Sequence, residues 1–502
     1  MNIIELLQST VERYPEIPAL VFRDQEISYQ ELGKRVRKAA SGLKALGVTL
    51  DTKVGLMMSN KPEYIITYFA ILANGGTVVP LNPLFKEAEV AYILNDSDSE
   101  YLVLEEMSLS VIQRVKNELT SVKEIICFGD SDEHSWASLL TYPEMENFVP
   151  RYGSETAQII YTSGTTGFPK GAMITHANLN WMAIAAAVTN SVKPGDRILC
   201  VLPLFHAYAK LQGGLANIAH GGTIYIEERF EPVSILDKLA KNKINIFLGV
   251  PTMYTMFIHS PNIKDLDFSA LRIAGSGGAS LPAEVIDKVK QLMGVDISEG
   301  YGLTESTVML CASPREGVKK VGSTGVPLAG VSLKIVDPEG NTVGPKEVGE
   351  IIFRGPNLMK GYYKQPQETE NAIRDGWMHT GDLAYADEDG YIFIVDRMKD
   401  MIIRGGFNVY PREVEEVLYT HPNVIECAII GRPDPVFGEK IAAYVVTKTE
   451  QEEEELREYC KQKLVHYKTP DYIIFIKEIP KSGTGKMLKT ALKKLDKETI
   501  NL

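Results

Sequence analysis

Hydrophobic positions in the first hundred residues switch between two periods. Leu32, Val36, Ala39, Leu43 and Leu46 recur at helical spacing. Ser28-Tyr-Gln-Glu31, just ahead of them, has the form of a capping box. The apolar run at 54–58 predicts a buried strand, 63–72 a helix and 77–81 a second strand. Strands alternating with helices predict βαβ units and a mostly parallel sheet. The pattern returns at 198–202, 222–226 and 245–249. Past residue 325 it changes, and short apolar runs at 331–336, 350–354 and 391–395 between Gly/Asp turns predict an antiparallel sheet. A third region starts near Asp396, with predicted helices at 413–418, 453–464 and 487–495 and strands at 424–430, 440–446 and 471–479.

Composition narrows the class. The chain has 502 residues, 44% hydrophobic and 24% charged, which excludes intrinsic disorder and a small disulfide scaffold. Lys plus Arg is 53 against 65 for Asp plus Glu, a net charge of −12, which argues against nucleic-acid binding. Cys127, Cys200, Cys311, Cys427 and Cys460 form no CxxC pair, so a zinc or disulfide framework is not expected. The N-terminus has no basic stretch ahead of an apolar one, and no apolar run approaches the ~18 residues of a membrane span. A cytoplasmic protein is expected, monomer or homodimer, with no transmembrane segment; peripheral membrane contact stays open.

The densest chemistry is Tyr161-Thr-Ser-Gly-Thr-Thr-Gly-Phe-Pro-Lys-Gly171, after a predicted strand and before a helix near Thr175. Glycines let backbone N–H groups approach an anion, hydroxyls donate to phosphate oxygens, and Lys170 adds a positive charge. A phosphate-binding loop is expected, although GxxxxGK[ST] does not fit. Ala274-Gly-Ser-Gly-Gly-Ala-Ser280 is a weaker Gly cluster; alone it reads as a strand-to-helix turn, and it lacks GxSxG. Glu299-Gly-Tyr-Gly-Leu-Thr-Glu-Ser306 holds Glu305, a carboxylate suited to Mg²⁺ beside phosphates or to a plain surface position. Trp377-Met-His-Thr-Gly-Asp-Leu-Ala384 offers Asp382 to ribose hydroxyls, or simply to a turn. Asp396-Arg-Met-Lys-Asp400, Arg404-Gly-Gly-Phe-Asn408 and Pro480-Lys-Ser-Gly-Thr-Gly-Lys-Met487 bracket the C-terminal region.

These motifs, in this order and over residues 10–495, resemble the adenylate-forming superfamily of acyl-CoA synthetases, luciferase and peptide-synthetase adenylation domains. The resemblance is greatest to bacterial medium- or long-chain fatty-acid–CoA ligases. It implies an α/β fold: a large N-terminal domain of βαβ-type sheets with a small β-barrel-like subdomain (residues 1–396), and a small mobile α+β C-terminal domain (397–502) hinged at 396–400. It implies ATP, Mg²⁺ and CoA as cosubstrates and cofactor, a fatty acid as substrate, and an acyl-AMP intermediate.

By the same resemblance, Thr162, Ser163, Gly164, Thr165, Thr166 and Lys170 hold the phosphates. Gly278 and Ala279 line the adenine site, near Glu299, Gly300 and Tyr301. Thr304 meets the α-phosphate; Glu305 with Thr162 serves Mg²⁺; Asp382, helped by Arg397, takes the ribose. Lys486 bridges the substrate carboxylate and α-phosphate. His206 flanks the acyl pocket and thiol path, Lys399 is the hinge, and Arg404, Gly405 and Gly406 swing to the CoA side. Phe205-His206-Ala207 carries no Asp for an α-amino group, which disfavours amino acids. The stretches 211–215, 250–254 and 309–310 are expected to line an apolar acyl tunnel, with an aryl acid as the alternative substrate. A nucleotide binder without turnover and an NAD oxidoreductase are the remaining alternatives.

Overall fold

Two large sheets carry the N-terminal body, each with parallel strands in its middle; the eight-stranded one is antiparallel at one edge and the nine-stranded one at both. The computed structural model describes residues 2–129, 134–162, 169–279, 281–481 and 487–500, with side chains to Asp496. The expected βαβ units form: strand Lys53–Met57, helix Pro62–Ala73 and strand Thr77–Pro80 follow one another, and the two strands pair in parallel. They belong to an eight-stranded sheet. The later units, Arg197–Cys200, Thr223–Ile226 and Ile246–Gly249, form a nine-stranded sheet. That second sheet also takes in Pro18–Phe22, which pairs with Thr223–Ile226 through Leu20 and Ile224. With Gln25–Ser28, its antiparallel partner, this first strand extends the edge of a sheet whose other strands come some 170 or more residues later.

Local signals explain the helix starts. Ser28 caps Tyr29–Ala45 by accepting from the Glu31 amide at 3.2 Å. The reciprocal half of the box is replaced, because Glu31 accepts from Arg35 Nε at 2.7 Å one turn on. Leu32, Val36, Ala39 and Leu43 are fully buried, the stripe their spacing predicts.

The antiparallel region is a five-stranded sheet built from Ser332–Val336, Gly349–Arg354, Trp377–Ala386, Ile373–Arg374 and Ile392–Arg397. After it comes a second five-stranded sheet, Ile402–Arg404, Phe407–Val409, Val424–Asp434, Gly438–Thr447 and Tyr472–Phe475, with helices Pro411–Tyr419, Glu453–Lys463 and Lys489–Ile500. Strand Val424–Asp434, at the edge of this sheet, is covered on both faces. Cys427 and Ile429 pack with Val414, Leu418 and Leu456, while Ala428 and Ile430 pack with Tyr444, Ile479 and Leu492. The apolar cluster of the N-terminal body ends at Ile392, so these residues have cores of their own. Among the described residues no helix is long and apolar enough to cross a membrane. All five cysteines are buried.

Candidate nucleotide site

The antiparallel ends of the sheets bring most of the singled-out residues together. Strand Thr156–Thr162 is followed not directly by a helix but by strand Lys170–Thr175, and the two form a hairpin in which Thr162 faces Lys170. Ser163, Gly164, Thr165 and Thr166 lie outside the described residues. Strand Gly361–Tyr362 pairs with the outer edge of the hairpin, Gly361 opposite Met173. Its Tyr362 hydroxyl donates to Glu305 Oε1 at 2.9 Å, and its ring lies 5.3 Å beneath the Lys170 ammonium. Lys170 is ion-paired with Glu368. Tyr362 and Glu368 were not singled out by the sequence. The aromatic pair behind Gly361 was the available signal, but it gives no partner.

Strand Ile297–Tyr301 supplies Glu299, Gly300 and Tyr301, and a 3₁₀ turn, Thr304–Ser306, presents Thr304 and Glu305. The turn is held open by unusual backbone: Thr307 has φ 49° and Val308 φ 88°, the latter a costly value for a β-branched residue. The Tyr301 hydroxyl donates to Asp382 Oδ2 at 2.7 Å, and Arg397 Nε approaches Asp382 Oδ1 at 3.3 Å. Asp382 and Arg397 are cross-strand neighbours, so the sheet fixes their pairing. Tyr301, expected at the adenine site, and Asp382 and Arg397, expected at the ribose, therefore form one contiguous group. Asp382 is 5% exposed.

Gly278 adopts φ 83° in the turn after strand Ile273–Ser276, with Ala279 exposed beside it. A Cβ at Gly277 would meet the ring of Tyr208 at 3.3 Å, so this glycine turn and the His206 segment are in close contact. His206 is exposed, and its Nδ1 accepts from the Tyr208 amide at 3.3 Å. Gln212, in the 211–215 stretch, donates to Met309 Sδ at 3.4 Å, joining two of the three stretches expected to line the acyl tunnel.

The C-terminal region meets the body through Arg412. Its amide donates to Asp396 Oδ2 at 3.0 Å and its guanidinium to the Ile394 carbonyl at 2.6 Å. Lys399 lies in the 3₁₀ turn Met398–Asp400 between the two. Arg404 turns into its own sheet, bonding the Tyr467 carbonyl at 2.9 Å and Asp471 at 2.5 Å. Gly405 and Gly406 both have positive φ, and the Gly405 amide donates to the Phe437 carbonyl at 2.7 Å. The structure does not bring these three to the nucleotide-end group. Lys486 lies outside the described residues.

Burial pushes the Glu299 carboxyl up to about 7, opposed by nearby Arg412. Between its unfolded value near 4.5 and about 7 the folded protein holds a proton that the unfolded chain has lost, so this group lowers stability as pH rises through that window. Glu299→Gln is expected to gain stability over wild type that grows from pH 5 to pH 7.5, by roughly 1–3 kcal/mol. Urea unfolding at the two pH values checks it; a gain independent of pH would show that Glu299 does not titrate in that window.

The family described as AMP-binding enzyme matches residues 7–363, and its C-terminal domain matches residues 413–486. The chain belongs to this family of AMP-binding enzymes. It is 35% identical to a long-chain-fatty-acid–CoA ligase of Bacillus subtilis (strain 168), over 99% of this chain and 94% of that one. It is 36% identical to a feruloyl-CoA synthase of an Amycolatopsis species, over 95% of each. Among solved structures, an anthranilate CoA ligase in complex with anthranoyl-AMP superposes with a TM-score of 0.95, at 27% identity, over 100% of this chain and 98% of that one.

Proposed function

We propose that this chain is an ATP-dependent, AMP-forming acid–CoA ligase acting on fatty acids. The observation that carries the reading is the convergence of the hairpin cation, the Glu305 turn and the Tyr301–Asp382–Arg397 group at one set of sheet ends. Such a site can hold a nucleotide by its triphosphate and its ribose at once. The matched relatives, acid–CoA ligases over nearly their full length, support the same chemistry.

The chemistry explains the need for ATP. A carboxylate is a poor acyl donor because its leaving group would be oxide. Attack of the carboxylate oxygen on the α-phosphorus forms the C–O–P bond of acyl-AMP and expels pyrophosphate. The CoA thiol then attacks the acyl carbon, loses its proton and expels AMP. Charge builds on the α-phosphate oxygens in the first step, where fixed donors are most effective. Thr304 and Lys486 serve there, Thr162 and Lys170 at the outer phosphates, and Asp382 with Arg397 at the ribose. Gly278, Ala279, Glu299, Gly300 and Tyr301 flank the base. Glu305 keeps Oε2 free of the Tyr362 hydroxyl, and one carboxylate plus substrate phosphates suits Mg²⁺, which retains several waters. Bound there with Thr162, the ion would neutralise phosphate charge.

An aryl acid is the second reading, favoured by the feruloyl-CoA synthase match. A panel of C4 to C18 acids with benzoate and coumarate, followed by CoA-dependent AMP release, separates the two. We expect fatty acids to dominate, with kcat/KM graded by about fourfold per methylene until the pocket is filled. Coumarate or benzoate ahead of every fatty acid would reverse the assignment.

A further inference from the structure

We infer that Glu368 is a positioning residue for the nucleotide: it holds Lys170, surrenders it to the phosphates of ATP and takes it back as pyrophosphate leaves. This rests on the proposed function, in which Lys170 serves those phosphates. Lys170 and Glu368 are 198 positions apart in sequence, yet they are ion-paired and Lys170's side chain is only 14% exposed. The pair has a common support. The Tyr363 amide donates to the Gly171 carbonyl at 2.8 Å, so the segment leading to helix Pro366–Ala372 rides on the strand that begins at Lys170. The helix is pinned in turn, because Thr369 Oγ1 accepts from the Tyr362 amide at 2.8 Å and donates to the Gln365 carbonyl at 3.0 Å.

The Glu368 side chain is the freer partner, at 38% exposure against 14%. Its backbone is fixed while its carboxylate can swing toward solvent. A phosphate that recruits Lys170 competes directly with that carboxylate for the same ammonium, and the Glu305 carboxylate accepts from the hydroxyl of the Tyr362 whose ring lies beside Lys170. The local formal charge is thus −1 before any phosphate arrives, from two carboxylates and one ammonium. Part of the affinity for ATP is offset by breaking the pair, and the same pair favours departure of pyrophosphate once the α–β bond is cut.

Glu368→Gln tests this. We expect the KM for ATP to fall roughly three- to tenfold and inhibition by pyrophosphate to strengthen by a similar factor. Thioester formation from supplied acyl-adenylate and CoA should not change. Glu368→Asp, which keeps the charge, should stay near wild type. Lys170→Ala should raise the KM for ATP, and adding Glu368→Gln to it should then have no further effect. An unchanged or raised KM in Glu368→Gln overturns the inference, as does a gain that persists in the Lys170→Ala background. If Lys170→Ala itself leaves the KM for ATP unchanged, the phosphate role of Lys170 fails and the inference falls with it.

Discussion

Lys486→Ala is expected to abolish ATP–pyrophosphate exchange while sparing thioester formation from supplied acyl-adenylate. The carboxylate and the α-phosphate repel one another on approach, and the charge on the phosphate oxygens grows as the new bond forms. A lysine bridging the two groups relieves both effects. Removing one such donor from a preorganised site costs about 10²–10³ in rate, or roughly 3–4 kcal/mol. In the second half-reaction AMP is the leaving group and no new bond to phosphorus forms, so the same side chain has little to contribute.

The described residues on either side of Lys486 are fixed to the small domain. Lys481 pairs with Glu426 at 2.6 Å, Lys489 pairs with Glu415 at 2.8 Å, and Lys481 and Met487 are bridged as on two antiparallel strands. Alanine at 486 should therefore leave the fold intact, and circular dichroism and the melting temperature should match wild type. The decisive measurement compares exchange with single-turnover thioester formation. Equal loss of both half-reactions would mean that Lys486 does not divide its work in this way.

Much of this was legible in the sequence, for identifiable reasons. The 3.6-residue period of Leu32, Val36, Ala39 and Leu43 predicts a buried stripe because helix geometry leaves no other face for it. The runs at 54–58 and 77–81 predict parallel strands because both faces of a parallel sheet are covered. The hairpin was less legible. Residues 170–175 (Lys-Gly-Ala-Met-Ile-Thr) are too short and too near a helix start to announce a strand, and only pairing with Thr156–Thr162 makes them one. Pairing between distant segments leaves no local periodicity. For the same reason Tyr362 and Glu368 were invisible: their partners, Glu305 and Lys170, lie 57 and 198 positions away. The same limit applies to Arg412, whose bond to the Ile394 carbonyl depends on how the C-terminal region seats against the body.

Gly302→Ala is expected to cost the enzyme its adenylation activity and much of its local stability, although it adds one methyl group. Gly302 follows strand Ile297–Tyr301 at the point where the chain enters the Thr304–Ser306 turn and doubles back. A Cβ there would be driven into the Val308 carbonyl and would stand 2.7 Å from Met309 Cα. Those neighbours are backbone, so no side-chain rotation can clear them. Val308 is already at φ 88° and Thr307 at φ 49°, so the return limb has little slack. Moving it would also pull on the Thr307 hydroxyl, which donates to the Asn357 carbonyl at 2.8 Å, and on the Leu310 amide, which donates to the Tyr301 carbonyl at 2.8 Å. Overpacking of this kind costs about 1–3 kcal/mol, and contact with backbone places this substitution at the upper end. The displaced turn carries Thr304 and Glu305, and a shift of about 1 Å at reacting groups is enough to lose about 10²-fold in rate. Gly344→Ala is the matched control. Its added Cβ meets only the Glu347 carboxylate, at 3.3 Å, and that side chain can turn away. Pyrophosphate release and urea unfolding measured on both variants should separate them sharply; a Gly302→Ala enzyme with wild-type adenylation would mean that the turn can relax without disturbing Glu305.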